Sequence, residues 1–154
     1  MVSRLLALDL GTTTGFAIGE SPDPSVVVHG TMNFSPGKFS GGGMRYLKFE
    51  RWLIETIAKS GVNEVVYEGV RRHIGTDAAH VYGGFLATLT KVCEQLAIPY
   101  GGQPVGTIKK WANGKGNAGK PEMVAAVNKW GYTGVTDDNQ ADAICLLHNW
   151  IATR

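Results

Sequence analysis

The chain opens with a nearly unbroken apolar run, Leu5-Leu6-Ala7-Leu8, then Asp9 and Leu10, and only afterwards a Gly- and Thr-rich turn over Gly11 to Gly15. Short apolar runs bounded by turn residues predict strands buried on both faces. Residues 4–10 and 15–20 therefore read as a strand pair joined by a tight connection. The β-branched run Val26-Val27-Val28, continuing to Met32, predicts a third strand. A flexible loop follows, from Pro36-Gly37 through Gly41-Gly42-Gly43. Met44, Leu47, Phe49, Leu53, Ile54, Ile57 and Ala58 then recur at helical spacing, with Gly61 as the stop.

Val62 to Gly69 returns to a strand pattern and ends on Glu68-Gly69. A second helix is expected over residues 77–97, and Gly83-Gly84 in its middle predicts a bend or a close helix contact. Ile98-Pro99-Tyr100 predicts a brief fifth strand, and Val105 to Trp111 a short helix. Pro121 opens another helix at the position Pro tolerates, running to Trp130. A last helix starts at Asp137-Asp138 and reaches about Thr153. Three strands in succession, then helices alternating with strands, predict a three-layer α/β/α domain: a mixed five-stranded sheet with helices on both faces.

Composition narrows the class. The 154 residues, 44% of them hydrophobic, suit one globular domain spanning residues 1–154. No run approaches the roughly 20 apolar residues of a membrane span. Asp9 interrupts any signal-peptide core, so no leader is expected. Cys93 and Cys145 stand apart in helix-like segments without ligand spacing, and read as small buried hydrophobes rather than a zinc site. The net charge of +2 says little, but its distribution says more. Residues 101–130 hold five lysines (Lys109, Lys110, Lys115, Lys120 and Lys129) against Glu122 alone, a local excess of +4. Arg71-Arg72-His73 forms a second basic group. Such clusters sit on many solvated surfaces; in Gly-rich loops they also suit phosphate contacts.

Three acids depart from the apolar pattern. Asp9 and Glu68 each stand at the end of a hydrophobic strand, and Asp142 lies inside the last helix among Ala141, Ala143 and Ile144. Burying an ionised carboxylate costs several kcal/mol unless something neutralises it. Arg4 lies too far along an extended strand to pair with Asp9. On this stretch alone Asp9 serves either the Gly-Thr-Thr-Thr turn or a cation. Asp138 lies one turn before Asp142 and shares its helix face, whereas Asp137 fits an N-terminal capping role. If the last helix crosses neighbouring strands that end at Asp9 and Glu68, like charges gather, and a cation must join them. Oxygen donors without His or Cys suit Mg²⁺ or Mn²⁺. Two such ions about 3.5–4 Å apart would clamp the attacking and leaving oxygens of a phosphoryl displacement.

Four blocks carry a resemblance: LALDLGTTTGFAI, VVYEG, GTIKKWANGKGNAGKPEMVAAV and DDNQADAICLL. With these, the chain resembles the RuvC-type Holliday junction resolvases of the RNase H-like nuclease superfamily over nearly its whole length, the third block being the most specific. The resemblance implies an RNase H-like fold and resolution of four-way junctions by paired phosphodiester hydrolysis. It implies two Mg²⁺ or Mn²⁺ ions per active site, held by Asp9, Glu68 and Asp142 with a fourth acid. In the family that fourth acid precedes the last by three residues. Here Asn139 occupies that place, so Asp138, or Asn139 as a neutral ligand, must substitute.

The resemblance further implies that Lys109 or Lys110, together with Lys120, approaches the scissile strand, and that Lys120 joins the catalytic set. Arg71, Arg72 and Lys115 complete the expected DNA-binding residues. A homodimer with two active sites is implied, its face on the 77–97 helix, in a bacterial or phage-encoded protein of the cytoplasm. The loop Val70-Arg71-Arg72-His73-Ile74 departs from the family, which often carries a junction-opening aromatic there; this chain has none before Tyr82. That departure admits a flap or fork nuclease of the same fold, and a non-catalytic DNA-binding relative is a further class. The Asp9-to-Gly15 turn also resembles the phosphate loop of actin-like sugar kinases and chaperone ATPases, which need a second such domain.

Overall fold

A computed structural model describes residues 3–70, 72–73 and 75–154. Ten elements follow in the expected order: β1 (Leu5–Asp9), β2 (Thr13–Gly19), β3 (Val28–Asn33), α1 (Met44–Ser60), β4 (Glu64–Gly69), α2 (Thr76–Gln95), β5 (Tyr100–Pro104), α3 (Val105–Asn113), α4 (Lys120–Lys129) and α5 (Asp138–Ala152). One five-stranded sheet has the order β3-β2-β1-β4-β5. β1, β2 and β3 form the antiparallel meander, while β4 and β5 run parallel to β1.

Strand alternation sorts the core into two layers. Leu6, Leu8, Ile18 and Val65 face α1 and α2, with Phe34, Phe49 and Phe85 filling that side. Leu5, Ala7, Ala17 and Val66 face α5, with α3 and α4 behind it. Period-2 geometry then sends Asp9 and Glu68 to the α5 face, because each follows Ala7 or Val66 by two residues.

Most element ends shift by one or two residues from the sequence pattern, among them β2 at Thr13–Gly19 and α2 at Thr76–Gln95, and three differences have a visible setting. β3 begins at Val28, because Val26 and Val27 belong to a turn closed by hydrogen bonds from both amides to the Asp23 carbonyl. β5 lies at Tyr100–Pro104 rather than at 98–100, and its pairing with β4 joins backbone to backbone without needing an apolar run: Gly101 and Gly102 sit under Trp150 and Tyr67. α3 continues to Asn113, two residues past Trp111.

The expected close contact at Gly83-Gly84 falls on Gly84, where a Cβ would lie 2.3 Å from the Tyr46 ring of α1; Gly83 faces open space. Gly61 ends α1 at φ 66, a left-handed conformation that L side chains rarely adopt. Cys93 and Cys145 are both buried and free, as expected. Among the described residues, no helix is long and apolar enough to cross a membrane.

Candidate metal centre

Parallel pairing of β1 with β4 reaches Leu8 opposite Tyr67, so the next residues, Asp9 and Glu68, stand side by side at one end of the sheet. α5 crosses above them. Its start is set by Gly15 of β2, where a Cβ would meet the Asn139 carbonyl at 1.9 Å; any side chain there would lift the helix off the sheet. Asp137 caps that start, its Oδ2 accepting from the Gln140 amide at 2.9 Å and its Oδ1 from the Gln140 side chain at 2.9 Å. Asp137 is therefore committed to the helix terminus. Gln140 also bonds His29 of β3, which ties the cap to the far strand.

From this placement Asp142 descends onto the two strand ends. Asp9, Glu68 and Asp142 each offer a carboxylate oxygen within 4.8 Å of the others. Glu68 is 7% exposed, and its Oε2 has no hydrogen-bond partner among the described residues. Burial, and then the charges of Glu68 and Asp142, push the Asp9 carboxyl well above the usual carboxylate range. Burial also raises Glu68, although a hydrogen bond from Asp9 and the charge of Lys109 oppose it. Asp142 is pushed up to about 7 by burial, then by Glu68 and Asp138, with Lys109 and Lys120 pulling against them. All three shifts share one cause: ionised oxygens that have lost water and face each other. A divalent cation would remove both penalties, and an all-oxygen donor set with an orphaned oxygen fits Mg²⁺ or Mn²⁺.

Asp138 stands close enough to act on all three carboxyls but lies outside their cluster. Its Oδ2 instead faces Lys120 Nζ at 3.6 Å. Of the two lysines offered by α3, Lys109 is half-buried and acts on Glu68 and Asp142, whereas Lys110 is exposed and acts on neither. Lys115 lies exposed in the loop between α3 and α4, and Arg72 is exposed beyond β4. Arg71 lies outside the described residues. Arg4, which the sequence places nearest to Asp9, donates through Nε to the Ser60 carbonyl at 2.5 Å rather than to Asp9.

Sequence reasoning missed two supports of the site. The Tyr82 hydroxyl donates to the Glu68 carbonyl at 2.8 Å and accepts from the Val70 amide at 3.2 Å, pinning the end of β4. The Thr14 hydroxyl, fully buried, donates to the Gly11 carbonyl at 2.6 Å and closes the turn after Asp9. The first carries no local signal, because the contact spans fourteen residues and depends on how α2 folds back on β4. The second had one, a Thr three residues after Gly.

No family model and no curated protein matches the sequence. Solved structures do match the fold. The chain is similar to Thermus thermophilus RuvC in complex with a Holliday junction substrate, at TM-score 0.77 and 16% identity, covering 96% of this chain and 92% of that one. A second Thermus thermophilus RuvC structure gives 0.74 and 18%, covering 97% and 92%. The yeast mitochondrial Holliday junction resolvase Ydc2 gives 0.66 and 16%, covering 97% and 78%. The mixed sheet with helices on both faces is thus the RuvC-like, RNase H-type architecture expected from the motifs.

Proposed function

We propose that this protein is a metal-dependent, structure-selective endodeoxyribonuclease that resolves four-way DNA junctions. The reading rests on one observation: carboxylates from β1, β4 and α5 converge within 4.8 Å, Glu68 buried and Asp9 and Asp142 half-buried, on a fold shared with RuvC. Asp9, Glu68 and Asp142 would hold two divalent ions, and Asp138 would join as the fourth ligand once released from Lys120. When bound, such ions supply Lewis-acid stabilisation of the phosphoryl oxygens and lower the pKa of a water nucleophile.

The remaining work falls to the chain itself. Lys109, braced on the half-buried side of α3, orients a phosphate toward the acids. Lys120 begins α4, next to a loop rich in Gly, and its 81% exposed side chain is free to trade Asp138 for a phosphate oxygen. Lys110, Lys115, Arg71 and Arg72 add salt-dependent affinity for the backbone. Residues 1–154 act as one nuclease domain, and two copies pair through the α2 side, so that one dimer cuts two opposed strands.

Fork or flap cleavage is the second reading, favoured by the loop after β4, where Arg72 and His73 stand in place of an exposed aromatic. His73 itself packs against Tyr82, the rings tilted by 45° with centroids 5.0 Å apart. Labelled junctions, flaps and forks incubated side by side with Mg²⁺ test both. Symmetric nicks in the junction, at a higher rate than in the other substrates, are expected. Preferential cutting of flaps or forks transfers the reading to those substrates, and no cleavage of any branched DNA ends it.

A further inference from the structure

An open groove of about 510 Å³ lies between α4 and the start of α5, and Asp138, whose charge acts on Asp9, Glu68 and Asp142, lines its side toward the acidic centre. Lys120, Val124 and Asn128 occupy successive turns of one α4 face, and Ala125 lies beside them. Thr136 and Asp138 form the opposite wall. The groove therefore has a sequence of surfaces. Lys120 stands at the inner end, 3.6 Å from Asp138. An apolar floor of Val124 and Ala125 comes next, and a half-buried carboxamide, Asn128, closes the outer end. From Lys120 to Asn128 is eight residues of helix, about 12 Å along the axis.

From this order of surfaces we infer a nucleobase subsite. A phosphodiester held at the centre through Lys120 places its neighbouring nucleotide in the groove. The apolar floor accepts the face of the base, and Asn128 meets the base edge. A carboxamide offers one donor and one acceptor side by side, the pattern that pairs with adenine N7 and N6. Asn128 thus selects adenine at the position beside the cleaved bond, with the Thr136 hydroxyl as a tolerant second contact. This subsite rests on the nuclease reading for its DNA, and the test separates the two.

Four junctions differing only in the base beside the scissile phosphate are compared, by cleavage rate in Mg²⁺ and by affinity in Ca²⁺. Wild type is expected to favour adenine at least about fivefold. Asn128→Ala should level the four rates and the four affinities. Asn128→Asp, which can only accept, should move the preference to cytosine, whose N4 amino group donates. Cleavage by wild type with a base ranking unchanged in both variants overturns the subsite and leaves the nuclease reading standing. An affinity ranking that follows residue 128 without any cleavage upholds the subsite and removes the nuclease reading. Equal rates and affinities for all four junctions in wild type also overturn it.

Discussion

β4 carries an acid at each end, and the two have opposite fates. Glu64 and Glu68 lie four residues apart on one strand, so both point to the α5 face. At the first end, Arg154 Nη2 lies 2.5 Å from Glu64 Oε1, an ion pair without hydrogen-bond alignment, and Trp150 Nε1 donates to Oε2 at 3.3 Å. At the second, Glu68 Oε2 has no partner among the described residues, and its nearest companions are Asp9 and Asp142. One helix makes both environments: α5 offers the indole of Trp150 near its end and the carboxylate of Asp142 in its first half. Burial by itself therefore does not explain the charge at Glu68. The same strand and helix neutralise an acid at one end and concentrate like charge at the other, which is the arrangement a cation site requires.

Function should break along that line first. Asp9→Asn, Glu68→Gln and Asp142→Asn should each lower junction cleavage by at least about a hundredfold, in the range seen when a transition-state charge contact is lost, while junction affinity stays largely intact. Glu64→Gln should cut at the wild-type rate. Cleavage by any of the three centre variants at near wild-type rate would remove that residue from the site.

Stability should divide the two ends next. Neutralising a carboxylate among like charges relieves repulsion, so Asp142→Asn should melt above wild type in EDTA, by several degrees if the relief is about 1–2 kcal/mol. It should also gain less than wild type from millimolar Mn²⁺, because linkage scales with affinity for the folded state. Glu64→Gln should melt lower in EDTA and keep the full Mn²⁺ response. Asp77→Asn, an acid of α2 outside both ends, should do neither. A wild-type melting point indifferent to Mn²⁺, with Asp142→Asn destabilised in EDTA, would make Asp142 a structural hydrogen-bonding group.

The same comparison has a pH signature. Asp142 is raised from 3.8 to about 7, and Asp9 and Glu68 shift in the same direction. The folded state therefore binds more protons than the unfolded state across this interval, and metal-free stability falls as pH climbs from about 4 to about 7. His148, lowered by burial to about 4, contributes the opposite slope between about 4 and 6.5. Denaturant melts of wild type and Asp142→Asn in EDTA, subtracted at each pH, isolate the carboxylate. A difference independent of pH would contradict the assigned burial.

The smallest effect concerns Lys120, which balances Asp138 at the rim. Lys120→Ala should slow cleavage about tenfold with at most about a twofold loss of affinity, because charge on the phosphate grows in the transition state. Equal losses in rate and affinity would make it an ordinary backbone contact.

Local pattern determines a good deal of this molecule. The short apolar runs in LLALDL and VVYEG are enough to mark strands with an acid at the end of each, and the Asp137-to-Asp142 spacing is enough to separate a capping acid from one inside the helix. These signals survive because they need only nearest neighbours: side-chain periodicity, turn residues and capping. Other features have no local cause. β5 is assembled on the edge of β4 from Tyr-Gly-Gly-Gln-Pro, which reads as a loop. Lys109 rather than Lys110 faces the acids only because α3 packs Ile108 into the core and so fixes its rotation. Tyr82 reaches Glu68 across fourteen residues of sequence. Above all, that Glu68 faces Asp9 and Asp142 while Glu64 faces Trp150 and Arg154 depends on which part of α5 lies over each, and that depends on Gly15 letting the helix settle against β2. Sequence spacing places acids on strands; the tertiary packing of one helix decides which of them meet a counter-charge.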